Sequence, residues 1–308
     1  MLNYSDIKLD PRKLLSLTGL TSQEFELLLA PFSRAWDQLY PIDQTVDGQP
    51  RQRFVGGGRH GSLPCPEQKL LFILVYLKTY PLQVVLGELF GLSQSQANHW
   101  IHRLLPVLRS ALDDMGVIPE RDPRHFAQGR SEPGAGPRLI IDGTDRRRQR
   151  PKNPGKQPVH YSGKKKTHCD KNLVLLDMDN DRIEFLSRTF PGKTHDKKMA
   201  DQEAIAYPPG TELHKDTGFQ GYEPAVRKTC QAKKKPRGGE LTPAEKRTNR
   251  KLARIRVQVE HGLSGVKRSR IVKDVLRNTK EGISDSVMDT ACGLHNLRVE
   301  NRKRPLKR

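Results

Sequence analysis

Apolar positions along the chain follow two regimes. A helical period governs the first third and the last quarter, and short β-rich runs lie between them. The first clear helix start is Leu20-Thr21-Ser22-Gln23-Glu24-Phe25, where Thr21 can cap, Glu24 stands three residues on, and Leu20 with Phe25 can close a hydrophobic staple. That helix carries Leu27, Leu28 and Phe32 to about Tyr40. Pro41 to Pro64, with Gly56-Gly57-Gly58, reads as a loop. A strongly apolar helix is expected over Glu67 to Thr79 and another over Leu82 to Phe90. A third begins at Ser93, boxed by Gln96, and reaches about Leu108.

Two short helices divided by Gly91-Leu92-Ser93 form the helix-turn-helix pattern, with Gly87 small where the helices approach. The second helix would then expose Gln94, Gln96, Asn98, His99, His102 and Arg103, groups able to bond base edges and phosphates. A plain three-helix bundle that touches no DNA is the competing reading. Residues 119–137, rich in Pro, Gly and Arg, read as a linker.

The period then changes. Leu139-Ile140-Ile141 reads as a short buried strand that ends at Asp142-Gly143, although Asp-Gly is also a favoured turn pair. Strands follow over Asn172 to Met178 and Arg182 to Phe190, with Asp179-Asn180-Asp181 as the hairpin turn. His195-Asp196 opens a helix to about Ala206. The pair can ligate metal, but without a second such cluster it reads as capping and packing. Glu212 to Lys215 repeats the opening pattern and delivers Asp216, again with a glycine, Gly218, close behind.

Thr242-Pro243-Ala244-Glu245 starts a last long helix, expected to run to about Arg268. Its apolar stripe is Leu252, Ile255, Val259, Leu263 and Val266, and beside it runs a polar stripe of Arg256, Glu260, Ser264 and Lys267. Taken alone, Arg256 with Glu260 is an exposed i,i+4 ion pair, contributing about 0.3–0.5 kcal/mol.

Composition narrows the partner. Lys and Arg number 55 against 35 Asp and Glu, a formal charge of +20 on 308 residues, so a polyanion is expected and nucleic acid is commoner than an anionic membrane. The longest apolar run, Leu70 to Leu77, is far short of the roughly 20 residues a membrane helix needs. The N-terminus shows no secretory pattern. Cys65, Cys169, Cys230 and Cys292 are widely spaced, without zinc-finger spacing, and read as reduced thiols of a cytosolic protein. Against this basic background, two strand-end acids and one helix acid, Asp142, Asp216 and Glu260, suit a two-metal phosphoryl-transfer site holding Mg²⁺ or Mn²⁺. Lysines of Tyr161-Ser162-Gly163-Lys164-Lys165-Lys166 could grip backbone phosphates nearby, or form only a solvated loop.

The chain resembles prokaryotic insertion-sequence transposases of the DDE superfamily. The likeness rests on Ile141-Asp142-Gly143-Thr144, Tyr161-Ser162-Gly163-Lys164-Lys165, Pro191-Gly192-Lys193-Thr194-His195-Asp196, Asp216-Thr217-Gly218-Phe219-Gln220-Gly221, and Arg256 with Glu260 and Lys267. It implies an α/β fold: an RNase H-like mixed sheet flanked by helices over 138–308, ending in a basic tail. An all-α domain over 1–118 would precede it, with the helix-turn-helix at about 66–108. It also implies Asp142, Asp216 and Glu260 as a metal-binding triad for two ions. Gln94, Gln96, Asn98, His99, Arg103, Lys164, Lys165, Lys166, Arg256 and Lys267 would be DNA contacts. The implied function is binding of terminal inverted repeats, strand cleavage and strand transfer by a dimer in the prokaryotic cytoplasm. Ala253 departs from the tyrosine of the family's tyrosine-arginine-glutamate-lysine signature, which leaves the hairpin route open, and Asp145 rivals Asp142. A non-catalytic DNA-binding regulator and an RNase H-like nuclease without strand transfer remain as alternatives.

Overall fold

The computed structural model describes residues 1–44, 48–50, 63–128, 136–236 and 238–302. Gly56-Gly57-Gly58 and most of the expected loop around it lie outside them. In chain order the helices α1 (Tyr4–Ile7), α2 (Pro11–Thr18), α3 (Ser22–Leu39), α4 (Pro66–Thr79), α5 (Gln83–Phe90) and α6 (Gln94–Asp114) come first. Then come β1 (Arg138–Arg147), α7 (Gln157–His160), β2 (Tyr161–Ser162), β3 (Thr167–Asp177), β4 (Ile183–Leu186), β5 (Phe190–Pro191) and α8 (Asp196–Glu203). The chain ends with β6 (Glu212–Lys215), β7 (Lys228–Gln231), α9 (Pro243–Val266), α10 (Arg270–Lys273) and α11 (Ile283–Asn301). Two compact units emerge: Met1–Ile118 with Arg268–Asp274 and the chain from Ser286 on, and Pro119–Lys267 with Val275–Asp285.

In the first unit α4 is buried on every side from Gln68 to Leu77, which is why its sequence is a continuous apolar run rather than a stripe. The expected capping boxes form. Thr21 Oγ1 accepts from the Glu24 N–H while Glu24 accepts from the Thr21 N–H, and Ser93 with Gln96 repeats the arrangement. Helix α6 runs past Leu108 to Asp114, because Ala111 and Leu112 continue its buried stripe. Between α5 and α6 the Leu92 N–H returns to the Gly87 carbonyl and Gly91 takes φ +66°. A Cβ on Gly87 would lie 2.4 Å from the Leu92 carbonyl oxygen, so the close neighbour that demands glycine is the turn itself.

The C-terminal stretch, expected within the sheet domain, largely groups with these helices. Arg109 pairs with Asp289 at 2.6 Å, Asn296 donates to the Val117 carbonyl, and Arg302 grips the buried Glu24 through two nitrogens. No short sequence pattern announces partners that stand 179 to 278 residues apart.

The second unit is built on a mixed sheet. Strand β3 runs antiparallel to β1 and β4, β1 runs parallel to β6, and β6 runs parallel to β7. The order β4–β3–β1–β6–β7 is the RNase H-like arrangement. Period-2 alternation splits the strands into two faces. Leu139, Ile141, Leu173, Leu175 and Leu213 gather with Met199 and Ala200 of α8. Gly262 of α9 lies over Leu176, where a Cβ would meet the Leu176 side chain at 2.2 Å.

Three expectations change here. Strand β1 does not end at Asp142 but continues to Arg147, because Cys169 to Leu173 of β3 supply ladder partners to a polar stretch that shows no strand signal of its own. Residues 119–128 are not a linker: Glu120 pairs with Phe185, and Phe126 packs edge-on against Phe185 and Tyr207 in the core. Arg146, which opens the basic segment 146–166 expected to be a solvated loop or a grip on backbone phosphates, is buried, with its guanidinium on Asn172, Thr189 and Ser284.

Candidate catalytic site and nucleic-acid interface

The last parallel pair between β1 and β6 is Ile141 with Lys215. One step further Asp142 stands alongside Asp216, on strands about 4.8 Å apart. There β6 stops and Asp216 caps the short turn Thr217–Phe219, accepting from the Thr217 N–H, while β1 carries on. Asp142 accepts from the Gly143 N–H at 2.9 Å. Burial pushes its carboxyl up to about 6; the Gly143 N–H and the Arg256 charge pull it back, and the carboxylates of Asp216 and Asp196 push the same way as burial.

Glu260 comes from α9, one turn after Arg256. The Arg256 guanidinium lies 3.1 Å from Asp216 and 3.9 Å from Glu260, so a single cation bridges the second and third acids. Glu260 is largely exposed. The i,i+4 ion pair anticipated for Arg256 and Glu260 exists, but its arginine makes its shorter contact with Asp216.

Lys267 closes the other side. Burial pushes its amine below the usual range, with Asp145 and then Asp142 opposing that shift. Lys267 thus acts on both aspartates, more on Asp145 than on Asp142, while Asp142 also feels Arg256 and Asp216. One Asp145 oxygen is buried without a hydrogen-bond partner.

A further acid was missed. Asp196, the first residue of α8, bonds the Lys171 amine at 2.7 Å and presses against the backbone behind both aspartates. A Cβ on Gly143 would meet its carboxylate at 2.8 Å and one on Gly218 at 3.2 Å. The glycines that follow Asp142 and Asp216 are the sequence trace of this close approach. His195, expected to cap or pack, is exposed and makes no side-chain cap bond.

The expected DNA contacts fare unevenly. Lys164, Lys165 and Lys166 are exposed on the turn joining β2 to β3. Gln94, Gln96 and His99 are exposed on α6 and Asn98 is half-buried, although the Gln96 side-chain oxygen accepts from the Ser93 N–H. Arg103 is engaged elsewhere, stacked over Tyr40 at 4.2 Å, Trp36 at 5.2 Å and Trp100 at 5.6 Å. That aromatic group draws on α3 and α6, and only its tertiary closure reveals it.

Comparison with known proteins gives the family. Residues 141–296 match the family described as DDE superfamily endonuclease, and residues 61–114 match the helix-turn-helix of DDE superfamily endonuclease. The chain belongs to that superfamily, whose endonucleases are metal-dependent. It is similar to the probable transposase for insertion sequence element IS702 of Microchaete diplosiphon, 25% identical over 217 residues that cover 69% of this chain and 73% of the relative. No solved structure matches.

Proposed function

We propose that the chain is a transposase: it recognises the terminal inverted repeats of its element through the helix-turn-helix, cuts a strand at each end, and joins the exposed 3′-hydroxyl to target DNA. The observation that carries this reading is the register that sets Asp142 beside Asp216, with Arg256 tying Asp216 to Glu260. Work on two ends calls for at least a dimer, acting on chromosomal DNA in the cytoplasm.

The donors suit a divalent cation. Burial and the neighbouring acids push the Asp142 carboxyl up to about 6 despite Arg256, a balance that a cation would reverse, and hard oxygen ligands favour Mg²⁺ or Mn²⁺ over softer metals. Asp142, Asp216 and Glu260 would hold two such ions, and Asp142 is a better ligand than Asp145 because Asp216 and Arg256 both act on it. When bound, the ions supply Lewis-acid activation of the attacking oxygen and charge relief on the scissile phosphate. The chain does the rest. Arg256 holds Asp216 and Glu260 in register and can steer a phosphate once displaced from them. Lys267 offers a half-buried positive charge toward the same acids. Lys164, Lys165 and Lys166 hold backbone, and Gln94, Asn98 and His99 read bases.

The test is Mg²⁺-dependent cleavage of an oligonucleotide duplex that carries the element's end, with Asp142→Asn, Asp216→Asn and Glu260→Gln. Each variant is expected to lose at least 10²-fold in rate while keeping end binding. Full activity in any of them removes that residue from the triad. A joined product with target DNA separates a transposase from a nuclease that only cuts; binding without cutting in the wild-type chain points to a regulator.

A further inference from the structure

Away from the three acids, the β6–β7 ladder brings together a second set of ligand-type side chains. The register places His214 of β6 opposite Cys230 of β7, and Glu212, two residues before His214, shares its face of the sheet. His214 Nε2 lies 2.9 Å from Glu212 Oε1, and Cys230 Sγ lies 3.4 Å from the same oxygen. All three ligand atoms are within 4.8 Å of one another. Neither Asp142, Asp216 nor Glu260 belongs to this group.

We propose that Glu212, His214 and Cys230 form a Zn²⁺ site that clamps β6 to β7 beneath Asp216. The geometry is close to what zinc requires. With bonds of about 2.0–2.3 Å to nitrogen, oxygen and sulfur, tetrahedral ligands stand about 3.3–3.8 Å apart, so small side-chain rotations close the present spacing around an ion. Three protein donors leave a fourth position for water. A nitrogen–oxygen–thiolate set selects a borderline-soft ion, whereas the all-carboxylate site nearby selects a hard one, so the two do not compete for the same metal.

The local electrostatics favour two of the three ligands, whereas burial and then Glu212 raise the Cys230 thiol, so the ion itself must draw off that proton. Burial lowers the proton affinity of His214, with Glu212 opposing, which favours the neutral ring that metal needs. Burial alone would raise the Glu212 carboxyl, but bonds from Cys230 and His214 and the nearby Lys228 hold it below the usual range, as a carboxylate. Lys228 and Arg227 reach the other Glu212 oxygen at 3.6 and 3.9 Å, but both side chains are more than half exposed and can swing away as an ion enters. The Cys230 thiol gives up its proton to solvent on binding, so affinity rises with pH. An ion here would fix the two strands two residues before Asp216, where β6 is only four residues long.

The experiment titrates the full-length chain, purified metal-free, with Co²⁺ as a spectroscopic stand-in. One Co²⁺ per chain is expected to give a thiolate-to-cobalt absorption band that Zn²⁺ abolishes. The band should vanish in Cys230→Ser and weaken 10-fold or more in His214→Ala, yet persist when Asp142→Asn, Asp216→Asn and Glu260→Gln are combined. No band in the wild-type chain, or a band that survives Cys230→Ser, overturns the site. Should Cys230→Ser not fold, alkylation of the wild-type chain decides: Zn²⁺ must protect Cys230 over Cys65, and equal labelling of Cys230 with and without Zn²⁺ overturns the proposal.

Discussion

Asp142 shows how a functional residue sets stability against chemistry. Its carboxyl titrates near 3.8 in an unconstrained chain and at about 6 here, chiefly through burial. Between those values the folded chain keeps a proton that the unfolded chain has released. The resulting stabilisation is complete below about pH 4 and is lost as pH rises through 6. Above that, the metal-free protein carries a buried carboxylate at a cost. Asp142→Asn should therefore stabilise the metal-free chain by about 1–2 kcal/mol at pH 8, with the gain fading toward pH 4. Urea midpoints in EDTA at pH 4, 6 and 8 measure it, and a gain independent of pH would contradict the burial argument. Conversely, Mg²⁺ should raise the melting temperature of the wild-type chain by mass action, and not that of Asp216→Asn. Asp142, Asp216 and Glu260 were candidates from sequence because a strand-like run leads to each aspartate and a capped helix carries the glutamate. The place of Asp196 was not legible there, because it depends on Gly143 in β1 and Gly218 in the turn after β6, and the stacking of Arg103 was not, because Trp36 and Tyr40 come from α3 and its C-terminal cap.

At the scale of elements, α9 is the part whose placement matters most. Its stripe was visible from Leu252 to Val266, and Val259, Leu263 and Val266 are the positions fully buried. Gly262 sets how closely the helix approaches the sheet. Gly262→Ala would put a methyl 2.2 Å from Leu176 Cδ1, and Leu176 is itself fully buried, so the helix or the leucine must move. The expected outcome is about 1–3 kcal/mol of lost stability. A disproportionate fall in cleavage rate should follow, because Arg256 and Glu260 ride on the same helix. Denaturant midpoints and single-turnover rates on one preparation test this, and unchanged rates with a shifted midpoint would separate helix placement from catalysis. Strand β1 teaches the opposite lesson. Its apolar half announces itself, while Gly143 to Arg147 become strand only because β3 offers them partners.

For the whole molecule the charge of +20 makes DNA affinity steeply dependent on salt. Replacing Lys164, Lys165 and Lys166 together by alanine should weaken binding to all sequences alike and lower the slope of log affinity against log salt by about 3. Gln94→Ala with His99→Ala should instead lower the preference for element ends over random duplex by about 10-fold or more, with the slope unchanged. Fluorescence anisotropy across a salt series distinguishes them. Equal loss of specific and random binding in the second variant would take α6 out of base reading.

Helix starts, the helix-turn-helix spacing and the basic charge could be read from residues in order, because capping, periodicity and charge act over a few positions of chain. The length of β1, the burial of Arg146, the packing of Phe126 and the attachment of the last helix to the first ones could not. Each depends on partners tens to nearly three hundred residues away, where hydrogen-bond pairing and burial, rather than local preference, choose the conformation.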